Sequence, residues 1–182
     1  MKRKTNPSAG KRVRTVSLVP LGADDRDRFV RDNQEAFRFG ATEEFGPRDD
    51  HFEEPDQIIS RRTILRSIGA RGAEAYRIVA RGEVAGGLVL RIDRRRRRGD
   101  LDLFFVAPRL HGLGIGQAAW RAVERLHPEI RVWETVTPYF EKRNIHFYVN
   151  RLSFRIVEFV RDRFEMFRFE KAVRPRPPRA AE

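Results

Sequence analysis

The chain has 182 residues, 40% of them hydrophobic and 35% charged, a balance that describes one globular domain and excludes a disordered or fibrous protein. It has no cysteine, which removes disulfides, thiolate metal sites and cysteine nucleophiles from consideration. The net charge of +12 sits in Lys2, Arg3, Lys4, Lys11, Arg12 and Arg14, in the run Arg94 to Arg98, and in Arg174, Arg176 and Arg179, leaving the rest close to neutral.

These basic segments can draw polyanions weakly through counterion release. They carry no interleaved aromatics and no recognition module, which argues against a nucleic-acid partner. No apolar run approaches the roughly 18 residues of a spanning helix. The basic N-terminus is not followed by the apolar stretch of about 7–15 residues found in a secretory signal. The expectation is a cytoplasmic protein with no membrane partner and no metal. A homodimer is compatible with this composition.

In chain order, residues 1–12 read as a basic disordered arm. Val13–Leu21 alternates apolar and polar and predicts a first strand. Asp24 and Asp25 are N-cap candidates for a helix running to about Phe39, with Phe29, Val30, Asn33 and Phe37 at helical spacing and Gly40 as its stop. Residues 41–56 form an acidic loop with Glu43, Glu44, Asp49, Asp50, Glu53, Glu54 and Asp56 against Arg48. A second helix starts near Ser60 or Arg61, presents Ile64, Leu65 and Ile68, and ends at Gly69 and Gly72. Ala75–Ala80 and Val84–Ile92, joined by Arg81-Gly82-Glu83, make a hairpin.

The five arginines with Gly99 and Asp100 form the next turn, and Leu101–Val106 is a buried strand. A glycine-rich loop opens a helix whose apolar positions Ile115, Ala118, Ala119, Ala122, Val123 and Leu126 fit one face. Pro128 ends it. Arg131–Thr137 is a strand, Tyr139–Leu152 a helix, and Phe154–Val160 and Glu165–Val173 close the sheet across a short connection, Arg161–Phe164. The domain spans 13–173, and a Pro/Arg-rich tail follows from 174 to 182. The order β-α-α-β-β-β-α-β-α-β-β defines a mixed α/β sandwich on one sheet.

His111-Gly112-Leu113-Gly114-Ile115-Gly116 lies between a buried strand and a helix. Alternating glycines let backbone approach a ligand, and the exposed amides with the helix dipole favour an anion such as pyrophosphate. Gln117-Ala118-Ala119 fails the P-loop, which needs Gly-Lys-Ser/Thr. The Rossmann fingerprint fails too: position 117 is Gln, and too few residues follow Glu134 to complete a dinucleotide domain.

Val106 to Trp120 resembles the signature of the GNAT superfamily of acyl-CoA N-acyltransferases, Gln/Arg-x-x-Gly-x-Gly/Ala, here His111-x-x-Gly114-x-Gly116 with His in the first place. Trp133 to Tyr148 resembles the later motif, with Asn144 and Tyr148 one helical turn apart, and Phe154–Phe159 and Met166–Lys171 resemble the last two strands. The likeness covers roughly residues 15–173. Ser153 departs from it, standing where the family usually has Gly; a Ser is expected to avoid the positive φ that Gly tolerates.

The resemblance implies a GNAT-like, mostly antiparallel central sheet with helices on both faces, splayed between strands 101–106 and 131–137. It also implies transfer of the acetyl group of acetyl-CoA to the primary amine of a small-molecule or peptide acceptor. The pantetheine arm would pair with backbone at Phe105 and Val106, and an amide near Val106 would meet the oxyanion. His111, Gly112, Leu113, Gly114, Ile115, Gly116 and Gln117 would hold the pyrophosphate. Asn144 and Tyr148 share a helix face, and Tyr148 would protonate the leaving thiolate. Glu134 is the candidate base, on the same strand face as Val132 and Val136, with a structural acid as the equal alternative. His146 and His51 are weaker candidates, and His127 reads as a helix terminus. The acidic loop 41–56 would attract a cationic acceptor. A module that binds acyl-CoA without catalysis, and a nucleic-acid-binding protein using the arginines, are the competing readings.

Overall fold

The computed structural model describes residues 13, 15–45, 52–161 and 165–173. The expected arm 1–12, the tail from 174, His51, and the side chains of Glu43, Glu44, Arg48, Asp49 and Asp50 lie outside it.

Among the described residues, seven strands form one sheet in the order β1-β2-β3-β4-β5-β7-β6. They are β1 (Ser17–Pro20), β2 (Ala73–Ala80), β3 (Glu83–Asp93), β4 (Arg98–Val106), β5 (Val132–Pro138), β6 (Arg155–Arg161) and β7 (Glu165–Ala172). Every neighbouring pair is antiparallel except β4 and β5, which are parallel. One face packs under α3 (Ile115–Leu126) and α4 (Lys142–His146), around buried Trp120, Trp133, Phe154 and Phe169. The other packs under α1 (Arg26–Phe45) and α2 (Arg61–Ile68), around Phe29, Val30, Ile64, Leu103 and Phe105.

Local chemistry explains most boundaries. Ser60 caps α2, its Oγ accepting from Thr63 N–H, and Gly69 closes the helix. Arg81 and Gly82 both have positive φ (54° and 82°), the geometry of a two-residue hairpin turn between β2 and β3.

Several expectations are corrected. The first strand is shorter than the predicted Val13–Leu21: Ser17–Pro20 pairs with β2, Leu21 adds one bond from its N–H to Ala75 O at 2.9 Å, and Val13 instead donates its N–H to Leu113 O at 2.8 Å. Asp24 and Asp25 sit in a 3₁₀ turn ahead of α1, because the Asp25 carboxylate is taken by buried Arg77 at 2.5 and 2.9 Å. Gly40 does not stop α1, which runs on to Phe45; a glycine inside a helix costs only about 1 kcal/mol. Arg98 leaves the arginine turn and opens β4. The helix predicted over Tyr139–Leu152 is shorter: α4 covers five residues and passes into one π-helical turn, Phe147–Arg151. Ser153 takes φ +63°, the left-handed conformation it was expected to avoid, as the chain turns back into β6.

Candidate active site

Pairing between β4 and β5 stops at Asp100 opposite Glu134. Beyond that point the strands diverge, and the fork opens into a cavity of about 810 Å³. Its lining comes from both faces of the sheet: Phe37 of α1 and Thr63 of α2 on one side, Gly116 of α3 and Tyr148 on the other. The cavity therefore passes through the sheet at its one parallel junction.

The glycine loop forms one wall. Gly112 and Gly114 are both left-handed, at φ 78° and 80°, which aims successive amides into a shared concavity. Gly114 is the residue before α3, so the N–H groups of Ile115, Gly116 and Gln117 belong to its first turn and have no acceptor within the helix. His111 anchors the loop: its Nε2 lies 2.7 Å from Val106 O, so the tautomer protonated there donates to that carbonyl. Of the backbone groups expected to meet a cosubstrate at Phe105 and Val106, that carbonyl already has a donor. Gly116 has a second reason to be bare, because a Cβ there would lie 2.9 Å from the Phe147 ring, which stacks on Phe104 at 5.7 Å and 14°.

Tyr148 is buried and lines the cavity from the π-helical turn. Phe147, Phe154 and Phe169 surround its ring at 5.6, 5.8 and 5.4 Å. Burial pushes its phenol up to about 12, a hydrogen bond with Thr135 pulls the other way, and the charge of Glu141 adds to the rise. Thr135 in turn donates from Oγ1 to Leu101 O at 2.9 Å. Asn144 also faces the cavity, its Nδ2 donating to Glu141 Oε2 at 3.0 Å.

The cavity thus gathers Phe105, Val106, His111, Gly112, Gly114, Ile115, Gly116, Gln117, Asn144 and Tyr148. Leu113 is the exception in the loop; it packs against the core. Glu134 is not part of the lining. It does lie on the strand face of Val132 and Val136, but the same face brings it Arg98 and, at 3.6 Å, Arg168. Its surroundings are charged rather than apolar, and it ties β4, β5 and β7 together. His146 lines the cavity and sits 2.8 Å from the Asn150 amide. His127 lies elsewhere, buried beside Trp133 with Glu74 at 3.2 Å.

Sequence reasoning missed Glu141, Thr135 and Asp102 as cavity residues. Thr135 had a signal, since it alternates with Trp133 on the core face of β5; the other two become visible only once β4 and α4 are placed. Among the described residues no group of His, Asp or Glu side chains could hold a metal ion, and no helix is long and apolar enough to cross a membrane.

A sheet split at a parallel junction, with a glycine loop and helix N-terminus against the split, is the architecture of acyl-CoA-dependent transferases. Comparison with known proteins agrees. The model of the acetyltransferase (GNAT) family matches residues 29–154. The chain is 44% identical over 144 residues to the uncharacterised protein YrkN of Bacillus subtilis (strain 168), covering 79% of this chain and 75% of that one. Among solved structures it is similar to an acetyltransferase from Thermus thermophilus (TM-score 0.65, 15% identity, 89% of this chain and 99% of the other). It is also similar to the PaiA N-acetyltransferase of Thermoplasma acidophilum in complex with coenzyme A (0.66, 15%, 87% and 99%). A third is the spermidine N-acetyltransferase of Vibrio cholerae in complex with CoA and spermine (0.63, 15%, 87% and 95%). The protein belongs to the GNAT acetyltransferase family, and acyl transfer is its general chemistry.

Proposed function

We propose that the protein transfers the acetyl group of acetyl-CoA to a primary amine by direct attack, acting in the cytoplasm through the domain 13–173. The observation that carries this reading is the cavity through the β4/β5 fork, with the amide-rich start of α3 on its wall and Tyr148 in its lining. The loop amides and the α3 dipole suit a pyrophosphate. An extended arm laid along the open edge of β4 would reach the fork with its thioester. Attack by the amine there creates an oxyanion for an amide near Val106. Collapse expels the thiolate, which takes the proton of Tyr148.

The family members in complex with coenzyme A and with spermine support a thioester donor and an amine acceptor. The cavity wall carries Glu53, Asp102 and Glu141 beside Arg66, Arg91, Arg143 and Arg151, a mixed set of charges that offers sites both to the donor's phosphates and to a cationic acceptor. The basic arm and tail have no part in this scheme. Titration of acetyl-CoA into the full chain and into residues 13–173, followed by calorimetry, tests it. Equal affinity in both is expected, and no binding by either would overturn the reading.

A further inference from the structure

We propose that Asp102 selects the acceptor: it binds a cationic group other than the amine being acetylated, and Ser67 is the positioning residue that aims it. The inference rests on the amine transfer just proposed and names its substrate class, a diamine or polyamine.

A bulge in β4 puts Asp102 where it stands. Val89 of β3 pairs with Leu103 and Leu90 with Leu101, so Asp102 has no partner on β3. Leu101 and Leu103 are both buried, yet Leu101 belongs to the core under α3 and Leu103 to the core under α1 and α2. Regular alternation would put them on one face; the extra residue reverses it. Pairing with β5 ends at Asp100, and Thr135 ties Leu101 O across the gap at 2.9 Å. Asp102 is therefore the first side chain of β4 past the root of the fork, and it lines the cavity. Ser67 of α2 is buried and donates from Oγ to Asp102 Oδ2 at 2.5 Å, which fixes the carboxylate on the α2 side of the sheet.

The partners of the neighbouring charges single it out. Asp100 pairs with Arg91 at 3.2 Å, and Glu134 with Arg98 and Arg168. Of the other carboxylates in the wall, Glu53 accepts from Ser60 N–H at 2.9 Å and Glu141 from the Asn144 amide at 3.0 Å. Asp102 has the Ser67 hydroxyl and, among the described residues, no ion pair. In a chain of net charge +12 it faces the cavity with that charge unmatched. Arg66 also lines the wall, but it precedes Ser67 on α2, and consecutive helical residues point about 100° apart. The side chain directed at Asp102 is the hydroxyl, not the guanidinium.

The two sides of the fork then take different molecules. The donor's phosphates belong at the start of α3, so the acceptor enters from the α2 side, where it meets Asp102. A carboxylate on the reacting nitrogen would hold it as an ammonium, which has no lone pair to attack with. Distance excludes that pairing as well. Val106, whose neighbourhood supplies the oxyanion amide, lies further along β4 by roughly 13 Å, at about 3.3 Å per residue. A second ammonium, on the order of 10 Å from the first once the aspartate side chain is allowed for, satisfies both conditions. It stays charged throughout, so transfer leaves this contact intact.

The test titrates straight-chain α,ω-diamines of increasing length, each beside the monoamine of equal length, into the full chain saturated with coenzyme A. Calorimetry is the readout for wild type, Asp102→Asn and Ser67→Ala. Asparagine keeps the shape of the side chain and an oxygen for Ser67, so folding and coenzyme A affinity should hold. Wild type should bind the best diamine at least about tenfold more tightly than its monoamine, with nitrogens on the order of 10 Å apart. Asp102→Asn should erase that preference at unchanged monoamine affinity, and Ser67→Ala should erase part of it. With acetyl-CoA as donor the same preference should appear in KM rather than kcat. No preference in wild type, no binding of any diamine, or a preference that survives in Asp102→Asn would overturn the proposal. Failure of wild type to bind coenzyme A would instead remove the acetyltransferase reading, while diamine titration of the protein alone still decides the Asp102 contact.

Discussion

Replacing Gly116 by alanine separates two reasons for a bare backbone at the start of α3. The new Cβ would lie 2.9 Å from Cζ and 3.0 Å from Cε2 of Phe147, with Phe104 Cε1 at 3.7 Å. Carbon atoms settle at about 3.5–4.0 Å, so the Phe147 ring must retreat by on the order of 0.5–1 Å. That retreat disturbs the Phe104–Phe147 stack and the chain next to Tyr148. Overpacking of this kind costs about 1–3 kcal/mol, and the better helix propensity of alanine returns at most about 1 kcal/mol. A net loss of about 1–2 kcal/mol should lower the melting temperature by several degrees, at about 2–4 °C per kcal/mol for a domain of this size. Melting curves with and without acetyl-CoA for Gly116→Ala, Phe147→Leu and the double variant complete a cycle. If the ring is the obstacle, the smaller leucine side chain should absorb the methyl group, and the double variant should be more stable than the two losses added together. It should also recover the stabilisation by acetyl-CoA, which amounts to about 2.7 kcal/mol at 100 times the dissociation constant. Additive losses, with no recovery of the ligand shift, would refute the packing argument and leave close approach of the ligand as the reason for the glycine.

Ser153→Gly should stabilise the protein by about 1 kcal/mol, because a left-handed non-glycine residue costs about 1–2 kcal/mol and Ser153 holds φ +63°; an unchanged or lower melting temperature would contradict this. The Tyr148 phenol, near 12 in the folded protein and near 10 when unfolded, contributes stability that is complete below pH 10. That contribution drains away as pH rises toward 12, with on the order of 2–3 kcal/mol at stake. Tyr76 adds to the loss in the same direction. In denaturant titrations across this interval Tyr148→Phe should therefore lose less stability than wild type, and an equal loss would be evidence against the burial argument. Glu134→Gln should keep wild-type turnover, since Glu134 is outside the cavity and engaged by Arg98 and Arg168; a fall of about tenfold or more at unchanged acetyl-CoA affinity would return it to the chemistry.

The sheet and the glycine loop were legible because they rest on local rules. Alternation marked the strands, and the glycines before a strongly amphipathic α3 marked the loop. The π-helical turn at Phe147–Arg151 was not legible, since it departs from the period of 3.6 that makes a helix readable. Gly40 misled because a helix end was inferred from propensity alone, whereas packing of α1 over β3 and β4 carries the helix through it. Glu134 was read as a candidate base, with a structural acid as the equal alternative. Glu134 shares a face with apolar neighbours along its own strand, but β4 and β7 supply arginines across the sheet that no single-strand pattern reveals. Glu141, which faces the cavity, stands at a chain reversal where periodicity carries no information. Gly116 was read as room for a phosphate, and the Phe147 ring that also requires it comes from an element about thirty residues further along the chain.

Transfer itself is the most direct measurement. Acetyl-CoA is incubated with the protein and a set of polyamines, amino acids, aminoglycosides and peptides with free N-termini, and mass spectrometry follows the acetyl group. The account predicts that at least one primary amine gains an acetyl group only when the protein is present, with one equivalent of free coenzyme A thiol released, and that Tyr148→Phe slows the transfer by about 10². Tight binding of acetyl-CoA without transfer to any amine, or transfer at the same rate in Tyr148→Phe, would contradict it.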